Sequence, residues 1–392
     1  MLLARVARFF SHAVLVLFAV ATLGSFVPGI PALGSIGPLL ISPFGPWIAI
    51  LSLLGAIAVY LRWRKTRKGH TFLLFTLAAF AAIGTVYIQA QQIGVARANG
   101  LDINLAQTLR VGPVQRDGVE PVLRNYSSFE GQPLSLAIYR ANTGKGQPTA
   151  PILVYVHGGG WGGGSLHDRA ADMRWFADRG FLVISVEYTL SSADRPTWDL
   201  APAQIGCALA WIAGNAADFG GDPSRLALFG ESAGGNLVLN VAYMASSSSL
   251  EPTCHGALPS IAAAVAAYPI LDAVRLYEND DLIASGFARQ MATGYTGGTP
   301  AEYPARYAAI SPVTHIHPAA PPTLVLPGLA DHLLPAQPAF EFAAKVLAAG
   351  VDARVIAFPY GEHSFDQPGG SIGSQLVRQA ILQFLASHGL VP

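Results

Sequence analysis

The first acidic residue of this 392-residue chain is Asp102. Everything before it carries only eight charged side chains, all basic: Arg5, Arg8, Arg62, Arg64, Lys65, Arg67, Lys68 and Arg97. Between Arg8 and Arg62 no Asp, Glu, Lys or Arg occurs, and the run is interrupted by a Gly/Pro-rich segment from Pro28 to Pro38. A helix crossing a hydrocarbon layer about 30 Å thick needs about 20 apolar residues. The run therefore holds two spans, near 9–27 and 44–61, and a third fits at 71–93 between Lys68 and Arg97. In lipid each backbone polar group must be satisfied inside the protein, which forces such runs into helices. Residues 1–96 thus read as a three-span membrane anchor.

Cytoplasmic flanks collect Lys and Arg. Arg5 and Arg8 put the N-terminus inside, the Arg62 to Lys68 cluster puts the second loop inside, and the uncharged 28–38 loop is left outside. The chain then leaves its third span on the non-cytoplasmic face, periplasmic or extracellular, where residues 97–392 are expected. An alternative parse treats 1–21 as a cleaved signal peptide with Ala19-Val20-Ala21 at the cleavage site. It removes one span and still leaves the larger part outside.

The formal net charge of zero averages two unlike parts, because 24 − 8 = 16 basic residues against 24 acidic ones leave 102–392 at −8. Phosphate binding wants a basic surface, so nucleic acid is excluded as a partner of that part. The chain is 52% hydrophobic and 12% charged, against about 25% charged in an ordinary soluble domain. Disorder is excluded too. Cys207 and Cys254 lack metal-ligand spacing. In an oxidising compartment they form either one bridge or two unrelated buried thiols.

After a linker at 97–120, residues 121–392 alternate β-rich runs with helical stretches, the pattern of a mainly parallel sheet covered on both faces. Strands are expected at 134–139, 152–157, 181–188, 225–229, 261–268, 323–326 and 354–358, and helices near 168–179, 201–217, 234–247, 336–349 and 371–387. Residues 270–318 break the rhythm, being rich in Tyr, Pro and Gly, and read as an inserted lid or pocket wall.

Gly230-Glu231-Ser232-Ala233-Gly234 follows an apolar strand and opens a helix. A sharp turn in that context exposes the Ser232 hydroxyl, and small neighbours let the strained backbone fit. Upstream, His157-Gly158-Gly159-Gly160-Trp161 ends another strand, and successive glycines let backbone N–H groups point at a reacting carbonyl oxygen. A phosphate cradle would want a Lys-Ser/Thr pair after the glycines, and Gly162-Gly163-Gly164-Ser165 lacks the Lys. Glu231 either hydrogen-bonds within the site or scaffolds the turn, and Trp161, beside the glycine loop, is expected to shape the substrate pocket.

A serine hydroxyl is a poor nucleophile at neutral pH, so an imidazole must take its proton and a carboxylate must hold that imidazole. In α/β-hydrolases these follow in the order Ser, acid, His at later strand ends. Asp331, after 323–326, and His363, after 354–358, stand in those places. Asp272 belongs to an earlier strand end, and Asp366 is too near His363 in sequence to orient it as easily. His332, His315 and His317 are the other imidazoles considered. His315-Ile316-His317 has no carboxylate or Cys at ligand spacing, so neither metal nor cofactor is expected.

With these pieces in place, residues 130–390 resemble the hormone-sensitive-lipase-like group of α/β-hydrolases. His157 to Trp161 matches its HGGG loop, Gly230 to Asn236 its GDSAGGN-type elbow, and Gly220 to Pro223 its lead into that strand. The resemblance implies an α/β-hydrolase fold and carboxylic-ester hydrolysis by Ser232, Asp331 and His363, with Gly158, Gly159 and Ala233 forming the oxyanion hole. Where the group carries Asp-Tyr-Arg-Leu-Ala-Pro-Glu, this chain has Glu187-Tyr188-Thr189-Leu190-Ser191-Ser192, a variation found in esterases of polysaccharide acyl groups and in prenylcysteine methylesterase-like enzymes. The expected protein is a membrane-anchored serine esterase of short-chain acyl esters on a small-molecule, lipid or carbohydrate alcohol. Acyl transfer, amide hydrolysis and a non-catalytic binding module are the alternatives.

Overall fold

The computed structural model describes residues 2–110, 120–142 and 149–391. Among them, eight strands form one sheet: β1 (Val122–Phe129), β2 (Gln132–Tyr139), β3 (Ala150–Val156), β4 (Leu182–Val186), β5 (Gly221–Glu231), β6 (Ile261–Ala267), β7 (Thr323–Leu326) and β8 (Ala353–Val355). Their order is β1-β2-β4-β3-β5-β6-β7-β8. β2 runs antiparallel to β1 and β4, and the other pairs are parallel. Central strands read as unbroken apolar runs because both faces of a parallel sheet are covered.

On β3, Ile152, Val154 and Val156 point to one face and Leu153 and Tyr155 to the other. The first face packs against α6 (Leu200–Asn215), α7 (Ala233–Ser246) and α11 (Gln337–Ala348). The second packs against α5 (Ala170–Ala177) and α12 (Ile372–Ser387). Each fully buried aliphatic side chain contributes about 1.5–3 kcal/mol. β1 was not expected. It is a half-exposed edge strand carrying Arg124, Asn125, Ser127 and Ser128, so it lacks the apolar run that marks its neighbours. The insertion holds no strand, but folds into three short α-helices, α8 (Ala273–Tyr277), α9 (Ser285–Thr296) and α10 (Pro304–Ala309), and a 3-10 turn at Pro312–Thr314. Cys207 and Cys254 are joined as a disulfide, fastening α6 to the loop after α7. Closing 47 residues of chain removes unfolded-state entropy equivalent to about 4 kcal/mol.

Three N-terminal helices, α1 (Leu2–Phe26), α2 (Leu33–Thr66) and α3 (Gly69–Ala98), are long and apolar enough to cross a membrane. α2 starts at Leu33, so part of the Gly/Pro-rich segment is helical and Pro38, Pro43 and Pro46 lie inside it. Small residues let the α1–α2 corner close. A Cβ on Gly37 would lie 2.3 Å from Ser25 N, and one on Gly24 would lie 2.0 Å from Leu33 O. Thr22 and Thr85 share a hydrogen bond of 3.1 Å that ties α1 to α3.

The bundle packs against the sheet domain through backbone carbonyls that side chains satisfy. Gln92 Nε2 donates to Pro359 O at 3.1 Å and Ser42 Oγ to Tyr360 O at 3.0 Å, while Trp47 Nε1 donates to Leu109 O of the connecting segment at 3.1 Å. Residues 101–110, which include the turn α4 (Leu105–Thr108), fall in the segment read as a linker. They lie against α12, where Asp102 N donates to Gln379 Oε1 at 3.0 Å and Asn104 N to Gln375 Oε1 at 2.7 Å. The remainder of that segment, 111–119, lies outside the described residues.

Candidate active site

β5 sits centrally in the sheet and ends in the turn that carries Ser232. There the backbone takes φ 54° and ψ −122°, a left-handed conformation costly for a residue with a Cβ. The sequence permits it through its neighbours. A Cβ on Gly234 would come within 2.1 Å of Val156 O, and one on Gly230 within 2.4 Å of Gly234 O. Ser232 N donates to Ala267 O at 2.9 Å, pinning the turn to β6.

Asp331 and His363 arrive on the loops after β7 and β8. Ser232 Oγ lies 3.1 Å from His363 Nε2, and His363 Nδ1 lies 2.9 Å from Asp331 Oδ2. The second Asp331 oxygen is held by the amides of Leu333 and Leu334, at 3.0 and 2.7 Å, so the carboxylate cannot swing away. Burial alone would lower the His363 pKa. The adjacent Asp331 charge and hydrogen bond, with Glu362 and Asp366 behind, carry it above the ordinary histidine value. Such an imidazole takes a proton from a hydroxyl readily.

The glycine loop lies across from the serine. Gly158 N donates weakly to Glu231 Oε1 at 3.4 Å. The Gly159 amide meets no acceptor among the described residues, and Ala233 is the first residue of α7, whose N–H has no intrahelical acceptor. Gly159 (φ 100°) and Gly160 (φ 61°) are left-handed, and a Cβ on Gly159 would lie 2.4 Å from Gly163 O. Tyr188 OH donates to His157 O at 3.0 Å and fixes the loop from below. Trp161, expected to shape the substrate pocket, is fully buried, its ring stacked on Tyr295 of α9 at 4.3 Å. Beside the loop a cleft of about 550 Å³ is lined by Gly159, Gly160, Ser191, Phe287 and Met291.

A buried ionic cluster that sequence spacing did not signal braces the nucleophile turn to the histidine loop. Arg169 reaches Glu231 Oε2 at 3.4 Å, Asp172 Oδ2 at 2.8 Å, and Asp366 through its other terminal nitrogen. Tyr268 OH donates to Asp366 Oδ1 at 2.7 Å, and its ring meets the His363 ring edge to face at 4.9 Å. Tyr155 OH donates to the other Glu231 oxygen at 2.7 Å. Burial pushes Glu231 above its usual range despite Arg169. Removing one partner of a buried pair strands the others, at about 3–5 kcal/mol. Arg169→Met is therefore expected to lower stability by about that amount, read as a shift in the urea midpoint against wild type; an unchanged midpoint would disprove the brace.

The remaining candidates have other partners. Asp272 caps α8, accepting from Val274 N and Arg275 N at 3.0 and 3.2 Å. His315 and His317 meet backbone carbonyls of Ala309 and Tyr243. His332 Nδ1 pairs with Glu362 Oε2 at 2.5 Å, and its Nε2 lies 3.0 Å from Pro28 O in the loop between α1 and α2. The Glu362 hydrogen bond raises His332 to about 9. A pKa raised from 6.5 contributes stability that is complete below about 6.5 and is lost as pH climbs through about 9. The melting-temperature advantage of wild type over His332→Gln should accordingly shrink between about pH 6 and 10. A constant difference would contradict the charged pair.

Set beside known proteins, residues 136–346 match the profile of the BD-FAE family. Esterase LipQ of Mycobacterium tuberculosis is 30% identical over 240 residues, 60% of this chain and 55% of that protein. Carboxylesterase NlhH of the same species is 43% identical over 100 residues, 24% of this chain and 30% of that protein. The chain thus spans about half the length, or less, of these curated relatives. The thermophilic esterase Est2 of Thermogutta terrifontis, solved with propionate bound, superposes with a TM-score of 0.58 at 24% identity over 70% of this chain and 97% of that one. The fold is that of an α/β-hydrolase.

Proposed function

The chain belongs to the BD-FAE family, and from that premise we propose that it is a membrane-anchored serine carboxylesterase of short-chain acyl esters, its catalytic domain on the non-cytoplasmic face. One observation carries the chemistry: Ser232 Oγ, His363 and Asp331 stand in a line of hydrogen bonds, 3.1 and 2.9 Å long, on a strained turn facing open amides. The relatives named as esterases support the reaction class.

Ser232 Oγ attacks the ester carbonyl while His363 Nε2 takes its proton, and Asp331 steadies the imidazolium that forms. The carbonyl oxygen becomes an oxyanion held by the Gly159 and Ala233 amides, with Gly158 joining if its weak bond to Glu231 gives way. One such donor is worth about 10²–10³ in rate. The imidazolium then protonates the departing alcohol, leaving an acyl-serine. Water attacks that ester, gives its proton to His363, and the carboxylic acid leaves as Ser232 recovers its proton. For the anchor, the support is three apolar helices with seven of the eight basic residues gathered at one end, Arg97 alone lying at the other.

Labelling with a fluorophosphonate, compared between wild type and Ser232→Ala, tests the nucleophile. Label on wild type alone is the expected result; equal label on both overturns the assignment. Rates across esters of graded acyl length test the short-chain clause, which a flat profile would refute.

A further inference from the structure

Helix arithmetic locates the catalytic residues relative to a bilayer. The basic cluster beginning at Arg62 marks one boundary of the hydrocarbon layer on α2, and about 20 residues at about 1.5 Å each bring the other boundary near Ser42. The same count from Lys68 on α3 ends near Ile88, beside Gln89. The two counts agree, since a Cβ on Gly45 of α2 would touch the Gln89 side chain at 2.8 Å. At this level the bundle meets the sheet domain. Ser42 bonds Tyr360 O at 3.0 Å, and the Phe26 ring meets the Tyr360 ring edge to face at 5.9 Å. His363 follows Tyr360 by three residues, at most about 11 Å of extended chain. The His363 backbone therefore lies no farther than about 11 Å from the level at which the bundle meets the sheet domain.

Exposed apolar side chains stand on the segments between that level and the cleft. They begin in the α1–α2 loop, where Ile30 is exposed and Pro28 O meets His332. Asn279 Nδ2 donates to His332 O and Leu333 O at 2.9 and 3.0 Å, bringing the segment before α9 against the loop after β7 that also meets Pro28. That segment presents Leu282 and Ile283, 76% and 55% exposed, followed by Phe287 at 55%. Phe287 and Met291 then form the cleft wall opposite Gly159 and Gly160. Exposed apolar side chains are ordinarily scattered; Leu282, Ile283 and Phe287, grouped at the cleft rim of a chain with three apolar helices, mark a surface that lipid can cover.

We propose that the site draws its ester from the outer leaflet: a neutral amphiphile keeps its hydrocarbon tail in the bilayer while a short acyl ester enters by the cleft along the glycine loop, whose Gly158 packs against Ser232. This rests on the reading of the chain as a membrane-anchored esterase and adds the substrate class. Hydrolysis returns the alcohol to the bilayer and releases the short acid to water.

The test uses the full chain in phosphatidylcholine vesicles. One probe is p-nitrophenyl acetate in solution; the other is 1-O-hexadecyl-2-acetyl-glycerol in the membrane, whose single ester is the acetyl group, followed by released acetate. Wild type is expected to cleave both. The double variant Leu282→Asp/Ile283→Asp is expected to lower the ratio of lipid-ester to soluble-ester rate by about tenfold or more, because charges replace the side chains that seat the rim in lipid. Phe340→Asp/Leu347→Asp, on exposed α11 positions across the sheet from α12, should change that ratio by less than about twofold. Turnover of the soluble ester without the lipid ester, or a ratio indifferent to the Leu282/Ile283 change, overturns the proposal and leaves the esterase reading standing. Loss of turnover on both probes by wild type overturns the esterase reading, and failure to float with the vesicles overturns the anchor; either takes this proposal with it.

Discussion

Ser232→Ala is expected to lower kcat on a soluble ester by about 10⁵–10⁶, the size seen when a hydroxyl nucleophile is removed from a machine whose parts act as a unit. The substitution keeps the Cβ, so the φ of 54° at the turn is no more strained than before. Gly230 and Gly234, which make the turn passable, are untouched. Loss of rate with an unchanged melting temperature and circular dichroism is the expected outcome. Retention of more than about a hundredth of the rate would mean that another group attacks the ester.

Asp331→Asn is expected to cost about 10⁴ in kcat, because an amide in place of the carboxylate favours the wrong imidazole tautomer. The pH profile carries an independent signature. An imidazole works as a base only when neutral, so with His363 as the proposed base the acid limb of kcat/KM should follow its pKa in the free protein. Burial pulls that pKa down, and the Asp331 charge more than offsets it. In wild type the half-maximal point should accordingly lie above 6.5. In Asp331→Asn it should move toward acid as burial gains weight, with Glu362 and Asp366 limiting the shift. A limb unmoved by the substitution would assign the titration to another group. The neighbouring pair of His332 and Glu362 is the alternative, and His332→Gln separates the two.

The site was legible where function needs a residue at a strand end with special backbone geometry. Gly230 to Gly234, Asp331 and His363 each follow a short apolar run, and such a run bounded by turn residues is a local signal that survives without the fold. The brace around Arg169 was not legible. Its members stand at 169, 231, 268 and 366, and only the parallel crossovers bring those loop ends together. Trp161 illustrates the same boundary. Its place beside the glycine loop is written in the sequence, but the direction of its ring is set by Tyr295, from an insertion whose packing no local pattern specifies. β1 went unseen because an edge strand with one solvated face needs no apolar run. The meeting of bundle and sheet domain did leave a trace, the glutamines at 89, 91 and 92 closing an otherwise apolar helix, and one of them, Gln92, caps the Pro359 carbonyl.

The turn from Pro359 to His363 rests on Gln92, Ser42 and Phe26 at one end and delivers the imidazole at the other. A preparation trimmed to its water-soluble portion would lose that shelf and expose Tyr360 where helices had stood. Its rates would describe a chain with a loosened His363 loop, so tests of the proposed esterase activity belong to preparations that keep all three leading helices.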